Sequence, residues 1–220
     1  MRAVKESKRS KRSRFLRDAM VDVQIAARGI RSRRVLLAMR QLPREIFLER
    51  RFAEAAYEDC AVPIPKGQTI SQPYIVARML EAAAIAKSDR VLEIGAGSGY
   101  LAALAAKLGR EVCALERHEA LGQRARSRLQ HLGCRNVDLR HGDGTTGWPE
   151  GGEFDVILVS AASAQIPVVL KAQLAPSGRL LIPLGDPDGV QWLTKLTREP
   201  DGSFIEERIE EVRFVPLISD

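Results

Sequence analysis

The sequence predicts an α/β fold: a mostly parallel, doubly wound sheet, closed by antiparallel C-terminal strands and preceded by a helical N-terminal segment. Three observations predict it. From about residue 75 onward, strand-like and helix-like stretches alternate in the rhythm of βαβ units. Stretches such as FDVILVSAA (154–162) are apolar almost throughout, as strands covered on both faces are. The last two, VQWLTKLTR and IEERIEEVRFVPL, have no helix between them, which leaves an antiparallel edge.

The elements follow in order. Phe15, Leu16, Ala19, Met20, Val23 and Ala26–Ala27 recur at three-to-four spacing and predict a helix stopped at Gly29. Ser32 is placed to cap a second helix through RRVLLAMRQL, which stops near Pro43. Residues 44–68 carry Pro63, Pro65 and Gly67 and are expected to be irregular, with short strands. PYIVARMLEAAA reads as a helix opened by Pro73. RVLEIG is a strand, YLAALAAKLG a helix ended at Gly109, EVCALER a strand, and HEALGQRARSRLQHLG a helix ended at Gly133. NVDLRHG and FDVILVSAA are strands, IPVVLKAQL is a short helix, and GRLLIPLG is a strand.

The chain has 220 residues, enough for one well-buried domain with an appended segment. No apolar run approaches about 18 residues, so no membrane span is expected. The start, MRAVKESKRSKRSRF, lacks the apolar stretch of a secretory signal. Cys60, Cys113 and Cys134 form no CxxC pair, which suits a reducing cytoplasm and argues against a disulfide framework or zinc knot. Cys113 lies in an apolar run and reads as a buried, inert thiol. The net charge of +6 is localised: residues 1–17 carry eight Lys/Arg against Glu6, and the remainder sums to about −1. Residues 1–14 are therefore expected to be a disordered basic arm, capable at most of weak, nonspecific nucleic-acid contact. Residues 15–72 form a helical and irregular cap, and residues 73–220 a ligand-binding core. Together they make one globular unit, expected to be monomeric.

VLEIGAGSGY places Gly95, Gly97 and Gly99 directly after a strand, where a backbone without Cβ can turn tightly and approach a ligand. The spacing is GxGxG, not the GxGxxG of dinucleotide sites. Glu93 precedes the loop on its strand. Glu116 ends the next strand, about twenty residues on, where a carboxylate can take ribose hydroxyls. Asp143 and Gly144 follow the third strand; the Asp can accept an exocyclic amine and the Gly can leave room for a ring. Asp155 opens the fourth. Each also has a plain structural reading, as a strand-end charge or a turn residue. Taken together, as features of the carboxyl ends of successive strands, they trace an adenosine-binding crevice. His118, His131 and His141 lack metal-ligand spacing, and no metal is expected. Trp148 sits in a loop that can line a cleft or pack ordinarily, and Trp192 is expected in the core or at a strand edge.

This order resembles the Rossmann-like methyltransferases that use S-adenosylmethionine, and more closely the protein-L-isoaspartate O-methyltransferase family. The resemblance runs from about Met20 to Leu217. It is carried by RGIRSRRVLLAMRQLPREIF, GQTISQP, VLEIGAGSGY, GDGTTGWPEGGEFDVILVSAA, IPVVLKAQLAPSGRLLIPLG and VRFVPL. GQTISQP is its most specific stretch, because general methyltransferases lack it. The resemblance implies S-adenosylmethionine as cofactor and S-adenosylhomocysteine as product, with Ile70, Ser71, Gly95, Ala96, Gly97, Ser98, Glu116, Asp143 and Gly144 in the cofactor site.

It further implies Ser71 as the catalytic residue and isoaspartyl-containing proteins and peptides as substrates, whose freed α-carboxylate takes the methyl group and enters repair. An α-carboxylate has a pKa of about 3.3–3.7 and is already ionised at neutral pH, so no general base is needed. GQTISQP accordingly holds no His, Cys or Lys. Ser71 lies two residues before Pro73, at an expected helix start whose free N–H groups attract a carboxylate. Gln72 and Pro73 then help to cover the site. Some family members place Thr or Ser directly after Val-Pro-Leu to meet the cofactor; here Ile218 stands there, before Ser219, and that contact is not assigned. Two alternatives stay open: another S-adenosylmethionine methyltransferase, acting on nucleic acid or a small substrate, and a non-catalytic peptide-binding relative. An NAD-dependent dehydrogenase is disfavoured by the glycine spacing and by the absence of a Tyr-x-x-x-Lys pair.

Overall fold

The computed structural model describes residues 8–186 and 189–219. Helix α1, Lys8–Ala19, begins seven residues before Phe15, inside the stretch expected to be unordered. Its Lys and Arg residues are good helix formers, so the helix extends beyond its packed end. The expectation for residues 1–7 lies outside the described residues. After α1 the winding widens to a π turn over Met20–Ile25, which buries Met20, Val21 and Ile25 together. A 3₁₀ turn, Ala26–Arg28, follows and ends at Gly29, whose φ of 103° stops the helix. Helix α2, Arg33–Gln41, is capped by Ser32, whose side chain accepts from the Val35 amide.

Residues 44–70 fold as 3₁₀ turns at Arg44–Phe47, Arg50–Phe52 and Ala55–Tyr57, then a small hairpin of β1, Val62–Pro63, and β2, Thr69–Ile70. The hairpin turns through Lys66 and Gly67, both left-handed at φ 66° and 67°. Helix α3, Pro73–Ala83, leads into the sheet. Its strands are β3, Arg90–Ile94; β4, Glu111–Glu116; β5, Val137–His141; β6, Phe154–Val159; β7, Leu174–Gly185; β8, Gln191–Arg198; and β9, Phe204–Val212. The helices between them are α4, Tyr100–Leu108; α5, Glu119–His131; and α6, Val168–Ala172.

The sheet runs β5-β4-β3-β6-β7-β8-β9, parallel from β5 to β7 and antiparallel at β8 and β9. Its two faces are covered unequally. One face, with Val91, Val112, Ala114, Val156, Leu158 and Leu181, shares a core with α2 to α5 and with the N-terminal turns through Met20, Met39 and Phe47. The other face, with Leu92, Ile94, Leu115, Phe154 and Val159, is covered by α6 and by Trp148 and Ile166. Strand order reverses its direction between β3 and β6, and such a switch point opens a crevice at the strands' carboxyl ends.

Candidate cofactor and acceptor site

A cavity of about 510 Å³ lies at that switch point. Its floor is the glycine loop. The amides of Gly95 and Ala96 both donate to the Leu115 carbonyl, at 2.9 and 3.0 Å, which bends the chain away from β3. Gly97 follows at φ 52°. Gly99, at φ 86°, opens α4 where an added Cβ would stand 3.1 Å from that of Ala125 in α5. The two glycines thus serve different needs: a left-handed turn in the loop and close helix packing behind it.

Glu116 ends β4 at the cavity wall. It is buried, and its carboxylate is fixed by two backbone amides, Gly97 N–H to Oε2 at 2.7 Å and His118 N–H to Oε1 at 2.8 Å. Each oxygen retains capacity for a hydroxyl donor. Glu93, from β3, also lines the cavity. It is 1% exposed and its Oε2 has no hydrogen-bond partner among the described residues. Burial, and then the neighbouring Glu116 charge, push its pKa well above the ordinary carboxylate range.

The roof comes from residues distant in sequence. Hairpin β1–β2 brings Thr69, Ile70 and Ser71 over the glycine loop, and Ile64 would meet a Cβ on Gly97 at 3.5 Å. Ser71 lines the cavity but does not cap α3. The cap position is Gln72, whose side chain points away to donate to Asp59, at 2.8 Å to Oδ1 and 3.1 Å to the carbonyl. The Ser71 hydroxyl makes no hydrogen bond among the described residues, so it is not occupied as a helix cap. The Ser71 carbonyl accepts from Arg44 Nη2 at 2.8 Å.

The structure brings Ile70, Ser71, Gly95, Ala96, Gly97, Ser98, Glu116 and Gly144 to one cavity. Asp143 is set differently. Its Oδ1 accepts from the amide and hydroxyl of Thr145, both at 2.8 Å, capping the 3₁₀ turn Gly144–Thr146; the wall beside it is formed by Gly142 and Gly144. Gly144 is glycine for packing, since a Cβ there would lie 2.2 Å from Ile94 Cγ2. Asp155 does not belong to the crevice. It sits at the amino end of β6 and accepts from the Arg90 amide at 2.7 Å, because the first residues of parallel strands share the edge opposite the loops. Trp148 is buried in the second core and exchanges hydrogen bonds with the Gln173 amide, so it packs and does not line the cleft. Trp192 is half-buried on β8, near Arg208.

Cys113 is buried, and burial pushes its thiol up to about 11, so it is inert. Among the described residues no His/Cys/Asp/Glu cluster could hold a metal ion. Sequence reasoning missed Ser160 and Ala161, at the end of β6, and the wall formed by residues 211–218. That segment is tied to Ala162, which donates to Val215 and accepts from the Leu217 amide at 2.7 Å, and to Gln191, which donates to and accepts from Phe214. Ile218 itself lines the cavity. Only the matching stretch VRFVPL signalled this segment, without placing it.

A model of the family described as protein-L-isoaspartate(D-aspartate) O-methyltransferase matches residues 16–220. A protein-L-isoaspartate O-methyltransferase of Methylorubrum extorquens is 55% identical over 202 residues, covering 92% of this chain and 88% of its own. One from Rhodopseudomonas palustris is 50% identical over 204 residues, covering 93% and 83%. Among solved structures, a Plasmodium falciparum protein-L-isoaspartate O-methyltransferase in complex with S-adenosyl-L-homocysteine superposes with a TM-score of 0.81 at 28% identity. It covers 93% of this chain and 99% of that one.

Proposed function

The chain belongs to the protein-L-isoaspartate(D-aspartate) O-methyltransferase family, and from that premise we infer that it methylates the free α-carboxylate of L-isoaspartyl residues in damaged proteins and peptides, using S-adenosylmethionine and initiating their repair. The observation that carries this reading is the closing of the GQTISQP hairpin over the glycine-loop cavity, with an unengaged Ser71 hydroxyl at the start of α3.

The cavity's residues fit the cofactor. We assign Gly95, Ala96, Gly97 and Ser98 to the close backbone approach that the loop allows, and Ile70 to the roof. Glu116 suits ribose hydroxyls because its orientation is already fixed by two amides. The orphaned Oε2 of Glu93 suits a cationic ammonium group, which would offset the burial of its charge. Gly142 and Gly144 suit a flat ring, with Asp143 holding their turn. When bound, S-adenosylmethionine supplies a methyl group activated on a sulfonium.

The chain's own task is then positioning. Ser71 donates its hydroxyl to the substrate carboxylate, and the free amides opening α3 add their positive end. The hairpin and residues 211–218 enclose the reacting groups and exclude water. No residue has to remove a proton, since the nucleophile is ionised. Such orientation can supply up to about 7–11 kcal/mol of a barrier.

The free cysteines suit a cytoplasmic protein, and among the described residues no helix is long and apolar enough to cross a membrane. Both walls of the site come from one chain, which suits a monomer. We read the basic N-terminal stretch as a weak, salt-sensitive contact for nucleic acid, outside the catalytic unit. Incubation with radiolabelled S-adenosylmethionine and matched Asp and isoAsp peptides tests the function. Label in the isoAsp peptide alone is expected; no label in either, with S-adenosylhomocysteine still bound, would favour the non-catalytic relative.

A further inference from the structure

Arg44 has no exposed surface and is among the bulkiest fully buried side chains. Its guanidinium touches three separate parts of the molecule. Nε donates to the Ala56 carbonyl at 2.8 Å, in the last 3₁₀ turn of the N-terminal cap. Nη2 donates to the Ser71 carbonyl at 2.8 Å, in the loop between β2 and α3. Cζ lies 4.8 Å from the ring centroid of Tyr100, the first residue of α4 after the glycine loop. Among the described residues no carboxylate is within ion-pair distance, and Nη1 makes no hydrogen bond of regular geometry, the Tyr100 hydroxyl being the group that most favours its charge.

Such an arrangement is expensive for packing alone. A buried cation without a counter-charge loses hydration that two carbonyl bonds only partly replace. An apolar side chain of similar length would fill the same space without that loss. Burial does lower the guanidinium's pKa, yet an arginine starts so high that it stays charged. What the cation adds lies at the Ser71–Gln72 peptide. Accepting a charged hydrogen bond at the carbonyl polarises the peptide, which makes the Gln72 amide a stronger donor at the mouth of α3. That amide makes no hydrogen bond of its own among the described residues. The same bond fixes the Ser71 backbone against the cap, while the ring contact fixes it against α4. The direction of the Ser71 hydroxyl is then left to one side-chain torsion.

We propose that Arg44 is a positioning residue for methyl transfer, clamping the Ser71 loop to the N-terminal cap and to α4 so that the Ser71 hydroxyl and the first amides of α3 meet the acceptor carboxylate in register. This rests on the reading of Ser71 as the catalytic group. Arg44 touches neither the cavity nor the reacting atoms; it acts through the loop.

The test is a double-mutant cycle on the full chain, with Arg44→Met and Arg44→Lys, alone and combined with Ser71→Ala. Arg44→Met fills the space without a charge to bury, and Arg44→Lys keeps the charge but cannot span both carbonyls. Each is measured for kcat and KM with an isoAsp peptide, for S-adenosylhomocysteine affinity by calorimetry, and for melting temperature. Alone, each is expected to lower kcat by at least about tenfold while cofactor-product affinity stays within about threefold. On the Ser71→Ala background the further loss should be clearly smaller than in the wild type, because the hydroxyl that Arg44 aims is gone and only the α3 amides remain for it to position. Additive losses, an unchanged kcat in either single variant, or failure of both to fold would each assign Arg44 to the fold alone and overturn the proposal. A fully active Ser71→Ala would instead remove the catalytic reading of Ser71, an outcome the cycle reports separately.

Discussion

Two polar side chains in the same cavity lack a full set of partners among the described residues. Ser71 offers a hydroxyl with no partner among the described residues, and Glu93 a carboxyl with one oxygen orphaned. For Ser71, loss of one hydrogen bond to a charged group is worth about 1.5–3 kcal/mol. Ser71→Ala should therefore slow methyl transfer by roughly ten- to a hundredfold, with S-adenosylhomocysteine affinity little changed. Ser71→Asp should be worse than Ala, since it sets a negative charge against the nucleophile; an active Asp variant, measured beside Ala at equal melting temperature, would end the assignment. For Glu93, burial and then the neighbouring Glu116 charge push the pKa well above the ordinary carboxylate range. In the unfolded chain it ionises near its ordinary value, about 4.3. The folded state then holds the extra proton, so stability contributed at low pH is lost as pH rises toward the folded pKa. Glu93→Gln keeps the shape and removes this slope. Melting temperatures of the ligand-free protein between about pH 5 and 8 should fall less for Glu93→Gln than for wild type. Parallel curves would show Glu93 ionised in the fold.

At the scale of elements, the glycines of the site separate by cause. Gly97 needs a left-handed backbone at φ 52° and faces the roof, so Gly97→Val should abolish S-adenosylhomocysteine binding in a protein that still melts cooperatively. Gly144 is crowded by Ile94 from the core, so Gly144→Ala should cost about 1–3 kcal/mol and lower the melting temperature with or without ligand. Calorimetry and thermal melts on both variants check the contrast; a Gly97→Val protein that binds normally would clear the loop of any role in holding the ligand. The strands, the helices and the glycine loop were legible in the sequence because each is written in local periodicity and punctuation. Asp155 was misplaced because its type drew attention and its strand direction did not, although the first residue of a parallel strand cannot reach the loop edge. The roof was legible only through resemblance. Arg44 reaches Ala56 and Ser71 through backbone carbonyls, which carry no side-chain signature, and residues 213–218 meet Ala162 by a pairing that no local pattern announces. The widened turn at Met20–Ile25 answers to burial of Met20 and Ile25, a tertiary demand that overrides the ordinary helical repeat.

Across the whole molecule, charge and catalysis occupy different regions. The basic excess lies in residues 1–17, while the cavity walls come from residues 61–218. The attachment between them is slight at the outer end and firm further in. Arg12 and Glu54 approach only to 4.0 Å, with side chains 73% and 90% exposed, the kind of pair that adds little. Beyond it, Gln24 donates to the Tyr57 carbonyl at 2.9 Å, and Tyr57 donates to Glu45, tying the cap beneath the Ser71 loop. Removing residues 1–13 therefore cuts through the weak part of the attachment and leaves the firm part. Methylation of a short isoAsp peptide by the truncated enzyme should stay within about twofold of the full chain, because no residue lining the cavity lies in the removed segment. Any affinity of the full chain for nucleic acid should fall steeply with added salt and vanish with the truncation. Each phosphate neutralised by a Lys or Arg of the arm releases condensed counterions, and added salt opposes that release. Peptide kinetics and a salt titration of nucleic-acid binding, run on both forms, measure the two effects separately. A large drop in peptide methylation on truncation would place the arm inside the catalytic unit and show that the basic charge serves the reaction itself.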